Sequence, residues 1–279
     1  MSIEKETITE YVEWLERYGR SDGTIRQYVH HVKLAHKSKD PIKRLVDKKL
    51  APKTRRTIKA ALLSFADFRK DELLKEEIKR VRLPAAHRQK QRPVLSDRQW
   101  RALIETLPAV KISEALRAVL GVLLTRGMRK GDVLRMRRSE VLQALESDVL
   151  MYEAKGSRRL EFPLTSSWRP YLESLAQFEE YDRVRELVCR SRKEGCVEQS
   201  AGRAVIRALR KVAKACKIPP DNVHPHLLRK MYATKYYRLC KDPHKLMHHM
   251  QWTNIETAMR YVQADDRVVL DGIAEKMFE

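Results

Sequence analysis

The sequence predicts a mainly α-helical protein of two domains, with one small antiparallel β-hairpin in the second domain. Apolar residues in the first eighty positions recur at helical spacing, as at Ile25, Val29 and Val32. Only the segment 149–164 has the alternating pattern of paired strands around a glycine-containing turn. At 279 residues the chain is also longer than a typical single domain. These observations favour an N-terminal helical bundle followed by a larger, α-rich domain.

The first predicted domain covers residues 1–83 and contains amphipathic helices with basic polar faces. Helix starts are predicted at residues 21–24 (Ser-Asp-Gly-Thr) and at Pro52. Solvation is the simplest role for the basic side chains on the polar faces. Contact with phosphates is the alternative, and its candidates are Arg26, Lys53, Arg55 and Arg56.

A basic linker is predicted at residues 84–94. The stretch KRVRLPAAHRQKQR, residues 79–92, holds six basic residues and no acidic one, and it contains a proline. In a DNA-binding protein such a segment is suited to follow the phosphate backbone, here through Arg88, Lys90 and Arg92.

The second predicted domain, residues 95–279, opens with a capping box formed by Ser96 and Gln99. A buried helix is predicted at 116–124, because this stretch is almost entirely apolar, and it ends near Gly127.

Two short strands, 149–152 and 160–164, are predicted to form the hairpin, with Lys155 in its turn. Helical spacing returns after Trp168 and includes a basic stretch at 203–217.

The net charge of +21 indicates a polyanionic partner, most simply nucleic acid. No run of about 18 apolar residues is present, and the acidic, polar N-terminus does not resemble a signal peptide. We therefore expect a cytoplasmic, nucleoid-associated protein without a membrane partner. The four cysteines are too few for a disulfide framework. Cys189 and Cys196 precede several histidines, but their spacing is too wide for a zinc knuckle, so neither a metal nor another cofactor is expected.

Two pairs of residues have the spacing of a phosphate-binding site. Arg129 precedes Asp132 by three positions, so a carboxylate one helical turn away can hold the guanidinium. The alternative is an ordinary surface ion pair. His226 and Arg229 are likewise three residues apart, after a proline suited to a helix start. The alternative is a chance pair, because an arginine-rich chain contains many such spacings.

Tyr261 completes a set of residues whose order and approximate spacing resemble those of the tyrosine recombinase, or phage integrase, family. The set consists of Arg129, Lys155, His226, Arg229, Trp252 and Tyr261. Trp252 stands where most members have His, as in the Cre-like members. The resemblance implies that residues 1–83 form a SAM-like helical core-binding domain and that residues 95–279 form an α-rich catalytic domain with a small antiparallel hairpin.

The resemblance also implies a reaction. Tyr261 attacks a DNA phosphodiester and forms a 3′-phosphotyrosyl link, while Arg129 and Arg229 bind the phosphate oxygens. Lys155 is the general acid for the departing 5′ oxygen, and His226 is a proton acceptor or second acid. Trp252 donates its indole N–H and packs near the nucleophile, with Asp132 in support. No divalent ion is required.

The implied partner is double-stranded DNA with inverted-repeat sites, bound by four protomers on two duplexes, with a monomer or dimer free in solution. The tail 265–279 docks either on a neighbouring protomer or on its own domain. Several positions depart from the usual family pattern: an Arg precedes Gly127, Asp replaces the usual Glu at 132, Lys stands at 230 and Gln at 251. Two alternatives stay open, a type IB topoisomerase and a non-catalytic DNA-binding protein that keeps the fold.

Overall fold

The structure is a computed structural model, which describes residues 5–38, 40–84, 95–154, 158–189 and 197–261. The chain divides into two compact units, residues 1–91 and 92–279. Arg88, Lys90 and Arg92 of the predicted linker lie outside the described residues. Among the helices that the structure describes, none is long and apolar enough to cross a membrane.

Five helices form the first unit: α1 (Lys5–Arg17), α2 (Asp22–His36), α3 (Lys43–Val46), α4 (Pro52–Arg69) and α5 (Glu72–Arg80). The predicted apolar stripes of α2 and α4 meet in its core, which includes Val32, Ile58 and Leu62. Helix α2 begins where expected, although Ser21 does not cap it with its side chain and instead lies 3.1 Å from the hydroxyl of Thr24.

The second unit has helices α6 (Asp97–Thr106), α7 (Glu114–Arg126), α8 (Lys130–Arg135), α9 (Arg138–Ser147), α10 (Arg169–Ala176), α11 (Val184–Val188), α12 (Val197–Ala215), α13 (Pro225–Cys240) and α14 (Pro243–His249). Strands β1 (Val149–Ala154) and β2 (Arg158–Pro163) lie between α9 and α10. Residues 255–261 form a further helix, α15, up to the last residue of the described range. The predicted fold class, mainly α with one small antiparallel sheet, is confirmed.

Helix α7 is the centre of this unit. It is buried along nearly its whole length, as its apolar sequence predicts, and it contacts α10, α12 and α13. It ends at Gly127, whose φ of +65° is in the left-handed region that glycine adopts most easily. A side chain there would also clash, since a Cβ at Gly127 would lie 2.6 Å from Cγ of Tyr232. The glycine therefore lets the segment that follows α7 lie against α13.

The hairpin pairs β1 with β2 in antiparallel register, with Leu150 opposite Phe162 and Tyr152 opposite Leu160. These four side chains are buried against the core. Residues 155–157 of the turn, including the candidate Lys155, lie outside the described residues.

A second, smaller apolar cluster joins α13, α14 and α15. Its buried members include Tyr237, Leu246, Met250 and Trp252, and Tyr261 packs against them. This cluster fixes α15 beside the helix that carries His226 and Arg229.

Candidate active site

Arg129 lies at the junction between α7 and α8. Its backbone is extended (φ −69°, ψ 136°), and it serves as the N-cap residue of α8. The side chain is half-exposed, at 48%. The guanidinium is therefore accessible to a ligand, as a phosphate-binding group must be.

Asp132 is buried, so the interpretation of this motif as a surface ion pair is wrong for the carboxylate. It is only 3% exposed. Its shorter contact is with Arg135, whose Nη2 donates to Oδ1 at 2.6 Å, whereas Arg129 Nη1 lies 3.7 Å from Oδ2. Burial, followed by the nearby charge of Asp132, raises the pKa of the Tyr152 phenol. Asp132 thus holds Arg135 more directly than Arg129.

Arg229 is a buried guanidinium in the first turns of α13, only 6% exposed. Nη1 donates to the carbonyl of Gly127 at 2.8 Å, and Nη2 donates to the carbonyl of Met250 at 2.6 Å. Burial and the nearby charge of Arg129 lower the pKa of Arg229 to about 10, so the group is still cationic at neutral pH. Its position is fixed by backbone from both sides of the site.

His226 is exposed at the edge of an open cavity of about 340 Å³. Partial desolvation, followed by the positive charges of Arg229 and Arg129, lowers its pKa. A neutral imidazole at physiological pH is able to accept a proton. His224 caps α13, with Nδ1 accepting from the amide of Leu227 at 3.1 Å. The cavity is lined by Arg129, Lys130, His224, Pro225, His226 and Arg229.

Trp252 and Tyr261 form a stacked pair next to this cavity. Their ring centroids are 5.1 Å apart with an interplanar angle of 20°. On the other side, the guanidinium carbon of Arg229 lies 5.7 Å from the centroid of the Trp252 ring. Burial raises the pKa of Tyr261, and the charge of Arg229 acts in the opposite direction. The phenol is therefore protonated in the free protein.

The structure thus brings together five of the six predicted catalytic residues in one chain. Arg129, His226 and Arg229 share the cavity, while Trp252 and Tyr261 adjoin Arg229. Lys155 lies outside the described residues and stays a prediction.

A second buried arginine, Arg126, was noted in the sequence only as a departure from the family pattern. It is 6% exposed, and its guanidinium contacts His249, Tyr232 and the ring of Phe162. The sequence contains no spacing signal for this contact, because Arg126 and His249 are separated by more than a hundred residues.

The four candidate phosphate ligands of the first unit differ in their surroundings. Arg26 and Lys53 are exposed, whereas Arg55 is half-buried and its Nε has no hydrogen-bond partner among the residues that the structure describes. Arg56 is exposed and donates from Nη2 to the carbonyl of Pro84 at 2.9 Å. Arg26 and Lys53 are thus better placed than Arg55 to meet a ligand.

A model of the phage integrase family matches residues 93–267, more than half of the chain. The chain belongs to the phage integrase family. Membership of this family supports a DNA recombinase. No curated protein sequence matches the chain.

The fold of the chain is similar to that of several solved structures. The structure of XerA recombinase is 19% identical, with a TM-score of 0.50, and the match covers 97% of this chain and 98% of XerA. The Tn1549 transposon integrase in complex with circular intermediate DNA is 13% identical, with a TM-score of 0.63, and the match covers 94% of this chain and 99% of that one. XerH recombinase in a post-cleavage complex with palindromic difH is 15% identical, with a TM-score of 0.60, and the match covers 88% of this chain and 71% of XerH.

Proposed function

We propose that this chain is a site-specific tyrosine recombinase that cleaves and rejoins DNA through a 3′-phosphotyrosyl intermediate formed by Tyr261. The observation that carries the proposal is the chain of contacts from Tyr261 through Trp252 to Arg229, beside a cavity that Arg129 and His226 also line. A nucleophile, two cations and a neutral imidazole are thereby gathered in a single protomer.

In the proposed cleavage step, Oη of Tyr261 bonds to the scissile phosphorus and the bond to the 5′ oxygen breaks. His226 accepts the phenol proton, because its lowered pKa keeps the imidazole neutral. Lys155 protonates the departing 5′ oxygen. The phosphotyrosyl ester conserves the energy of the broken bond, so the reverse reaction rejoins the strand without ATP.

The two arginines stabilise the negative charge that grows on the non-bridging oxygens. Arg229 is held by two backbone carbonyls, so little reorganisation is needed when that charge develops. Arg129 is exposed to the cavity and can bind a phosphate oxygen from the solvent side. The guanidiniums of Arg229 and Arg129 supply the positive charge that phosphoryl-transfer enzymes otherwise obtain from divalent cations, so we propose a metal-independent reaction.

Helix α12 offers a surface for the DNA backbone. One face is buried in the core, and the opposite face is cationic over about 16 Å. One of its cations, Arg210, pairs with Asp221 at 3.0 Å. The exposed basic residues of this face are Arg203, Arg207, Arg210, Lys211 and Lys214.

The proposed partner is double-stranded DNA with inverted-repeat sites, bound by a homotetramer on two duplexes. The net charge of +21 supports a polyanionic partner. The similar XerH and Tn1549 structures are themselves complexes with DNA. Inverted repeats and four protomers follow from the family resemblance.

The test is to trap the covalent intermediate. The purified protein is incubated with DNA fragments from either side of its own gene, each carrying a nick that lets the short strand diffuse away after cleavage. The reaction is stopped with sodium dodecyl sulfate, and peptide mapping identifies the modified residue. We expect the adduct on Tyr261 and none with Tyr261→Phe, which still binds the same fragment. Tyr18→Phe, which alters a 66%-exposed phenol that follows α1, is the matched control and keeps the adduct.

Other outcomes identify the rival functions. Adduct formation on one duplex without strand exchange between two duplexes favours a type IB topoisomerase. Specific binding without any adduct favours a DNA-binding protein that keeps only the fold. An adduct on another residue overturns the assignment of Tyr261.

A further inference from the structure

Arg126 is a buried cation that the proposed reaction does not use. It ends α7, one residue before Gly127, and is 6% exposed. Within the described part of the chain, no carboxylate is among its ion-pair or hydrogen-bond partners. Burying a guanidinium without a counterion is costly unless its N–H groups are satisfied. The partners of its N–H groups therefore indicate the role of Arg126.

Those contacts converge on His249, the last residue of α14. Arg126 Nη2 donates to the backbone carbonyl of His249 at 3.2 Å, and Nη1 lies 2.9 Å from the Nε2 atom of the imidazole. The hydroxyl of Tyr232 also lies 2.9 Å from that nitrogen. The ring of Tyr236 stacks on the imidazole, with the ring centroids 3.8 Å apart. The guanidinium carbon of Arg126 lies 4.4 Å from the centroid of the Phe162 ring in β2. Arg126 thus joins α7, β2, α13 and the end of α14.

The two buried arginines donate to backbone carbonyls of consecutive residues. Arg126 binds the carbonyl of His249, and Arg229 binds the carbonyl of Met250. Next comes Gln251, with a left-handed φ of +54°, whose side-chain amide donates to the carbonyl of Glu161 at 3.4 Å. The turn 249–251 is therefore tied to three other elements by three side-chain hydrogen bonds, and two of these bonds are charge-assisted and accordingly stronger.

This turn leads directly to Trp252, on which the ring of Tyr261 stacks. The amide of Trp252 donates to the carbonyl of Met247 at 2.9 Å, so the indole follows the backbone of the turn. A displacement of the turn would move the surface against which the nucleophile packs. A misplacement of about 1 Å in a catalytic site can cost roughly 100-fold in rate.

We propose that Arg126 is a positioning residue: it fixes the turn 249–251 through the carbonyl of His249, and thereby the place of Trp252 and Tyr261 relative to Arg229. This inference rests on the proposed function, because it assigns Arg126 a part in the same cleavage step. Arg126 does not contact the phosphate itself, since its guanidinium is directed to His249 and the aromatic rings.

The test compares three variants in single-turnover cleavage of the nicked DNA fragment. Arg126→Met keeps an apolar stem of similar length but loses the donors, and Arg126→Lys keeps one cationic donor. The double variant Arg126→Met with His249→Leu replaces the polar pair by an apolar one, so no imidazole is left unsatisfied. Thermal unfolding, DNA affinity and hydrogen–deuterium exchange of the 248–256 peptide are measured alongside.

We expect Arg126→Met to lower the cleavage rate about 10- to 100-fold, with DNA affinity within about twofold of wild type. Arg126→Lys should recover part of that rate. The double variant should recover part of the lost unfolding temperature, because the Tyr232 hydroxyl and the His249 carbonyl still lose their partners in the pair. It should not regain the cleavage rate, and its 248–256 peptide should exchange faster.

The inference is overturned if the double variant cleaves at the wild-type rate, because Arg126 then only fills space. It is also overturned if cleavage falls only in proportion to the folded fraction, or if exchange of the 248–256 peptide is unchanged in Arg126→Met. Failure of the proposed function looks different, because the wild-type protein itself then forms no adduct, while the exchange measurement still decides whether Arg126 holds the turn.

Discussion

His249 should make the second unit lose stability in mild acid. Burial, followed by the positive charges of Arg126 and Arg229, lowers the pKa of His249 from 6.5 to about 4. The imidazole nitrogen that faces Arg126 Nη1 and the Tyr232 hydroxyl is an acceptor, and protonation would turn it into a donor directed at a guanidinium. The folded protein therefore binds this proton less readily than the unfolded chain does.

The sign and size of the effect follow from the two pKa values. A lowered folded-state pKa means that stability is complete above pH 6.5 and is lost as the pH falls towards 4. At 1.36 kcal/mol per pH unit the full effect is about 3 kcal/mol, of which about 2 kcal/mol is lost by pH 5. His249 is partly exposed, so we expect about 1–2 kcal/mol at pH 5 after solvent screening.

The assay is urea unfolding at pH 7.5 and pH 5.0, followed by circular dichroism. The variant His249→Gln keeps a side-chain acceptor for Arg126 but does not titrate, so it should lose about 1–2 kcal/mol less than the wild type between the two pH values. The control His248→Gln changes the exposed neighbouring histidine and should behave like the wild type. Equal acid sensitivity of wild type and His249→Gln would show that this imidazole is not the group responsible.

Three further predictions follow from the geometry. Gly127→Ala places a methyl group 2.6 Å from Tyr232 at a φ of +65°, and should lower the free energy of unfolding in urea by about 2 kcal/mol or more. The control Gly23→Ala in α2, where no atom lies near the added methyl group, should be neutral or slightly stabilising. An unchanged Gly127→Ala protein would contradict this packing. Arg229→Lys replaces a planar guanidinium, which donates from two nitrogens to the carbonyls of Gly127 and Met250, with a single ammonium nitrogen, and should lower single-turnover cleavage by about 100-fold or more. Near-wild-type cleavage would count against Arg229 as the proposed phosphate ligand. DNA affinity should fall steeply with salt, with a log–log slope of about −4.5 if five phosphates are neutralised. A flat response in a filter-binding titration would exclude the cationic face of α12 as the contact surface.

Local elements could be predicted because their causes lie within a few residues of sequence. Ser96 and Gln99 form both hydrogen bonds of the capping box, and Pro225 occupies the first turn of α13. The buried helix α7 and the hairpin follow in the same way from apolar runs and alternation. The grouping of Arg129 with Arg229 was predicted through a family resemblance, since spacing alone could not join residues a hundred positions apart.

The partners of the buried charges could not be predicted, because they depend on how distant segments pack. Asp132 has its shorter contact with Arg135 rather than with Arg129, although both arginines lie three positions from it, so spacing alone could not decide between them. Arg126 was visible only as an unusual residue before Gly127. Its contact with His249 exists because α7 and α14 converge on one turn.

The amino-acid sequence alone determines the helices, the hairpin, the basic character and the set of reactive side chains. These features follow from hydrophobic periodicity and capping, which act locally, and from charge, which adds over the chain. The tertiary structure alone determines which carbonyl each buried arginine binds, which carboxylate is desolvated and how the ring of Tyr261 stacks on Trp252. Those choices depend on a low-dielectric interior, where a polar group must find its partner among whatever the packing of remote elements brings within about 3 Å.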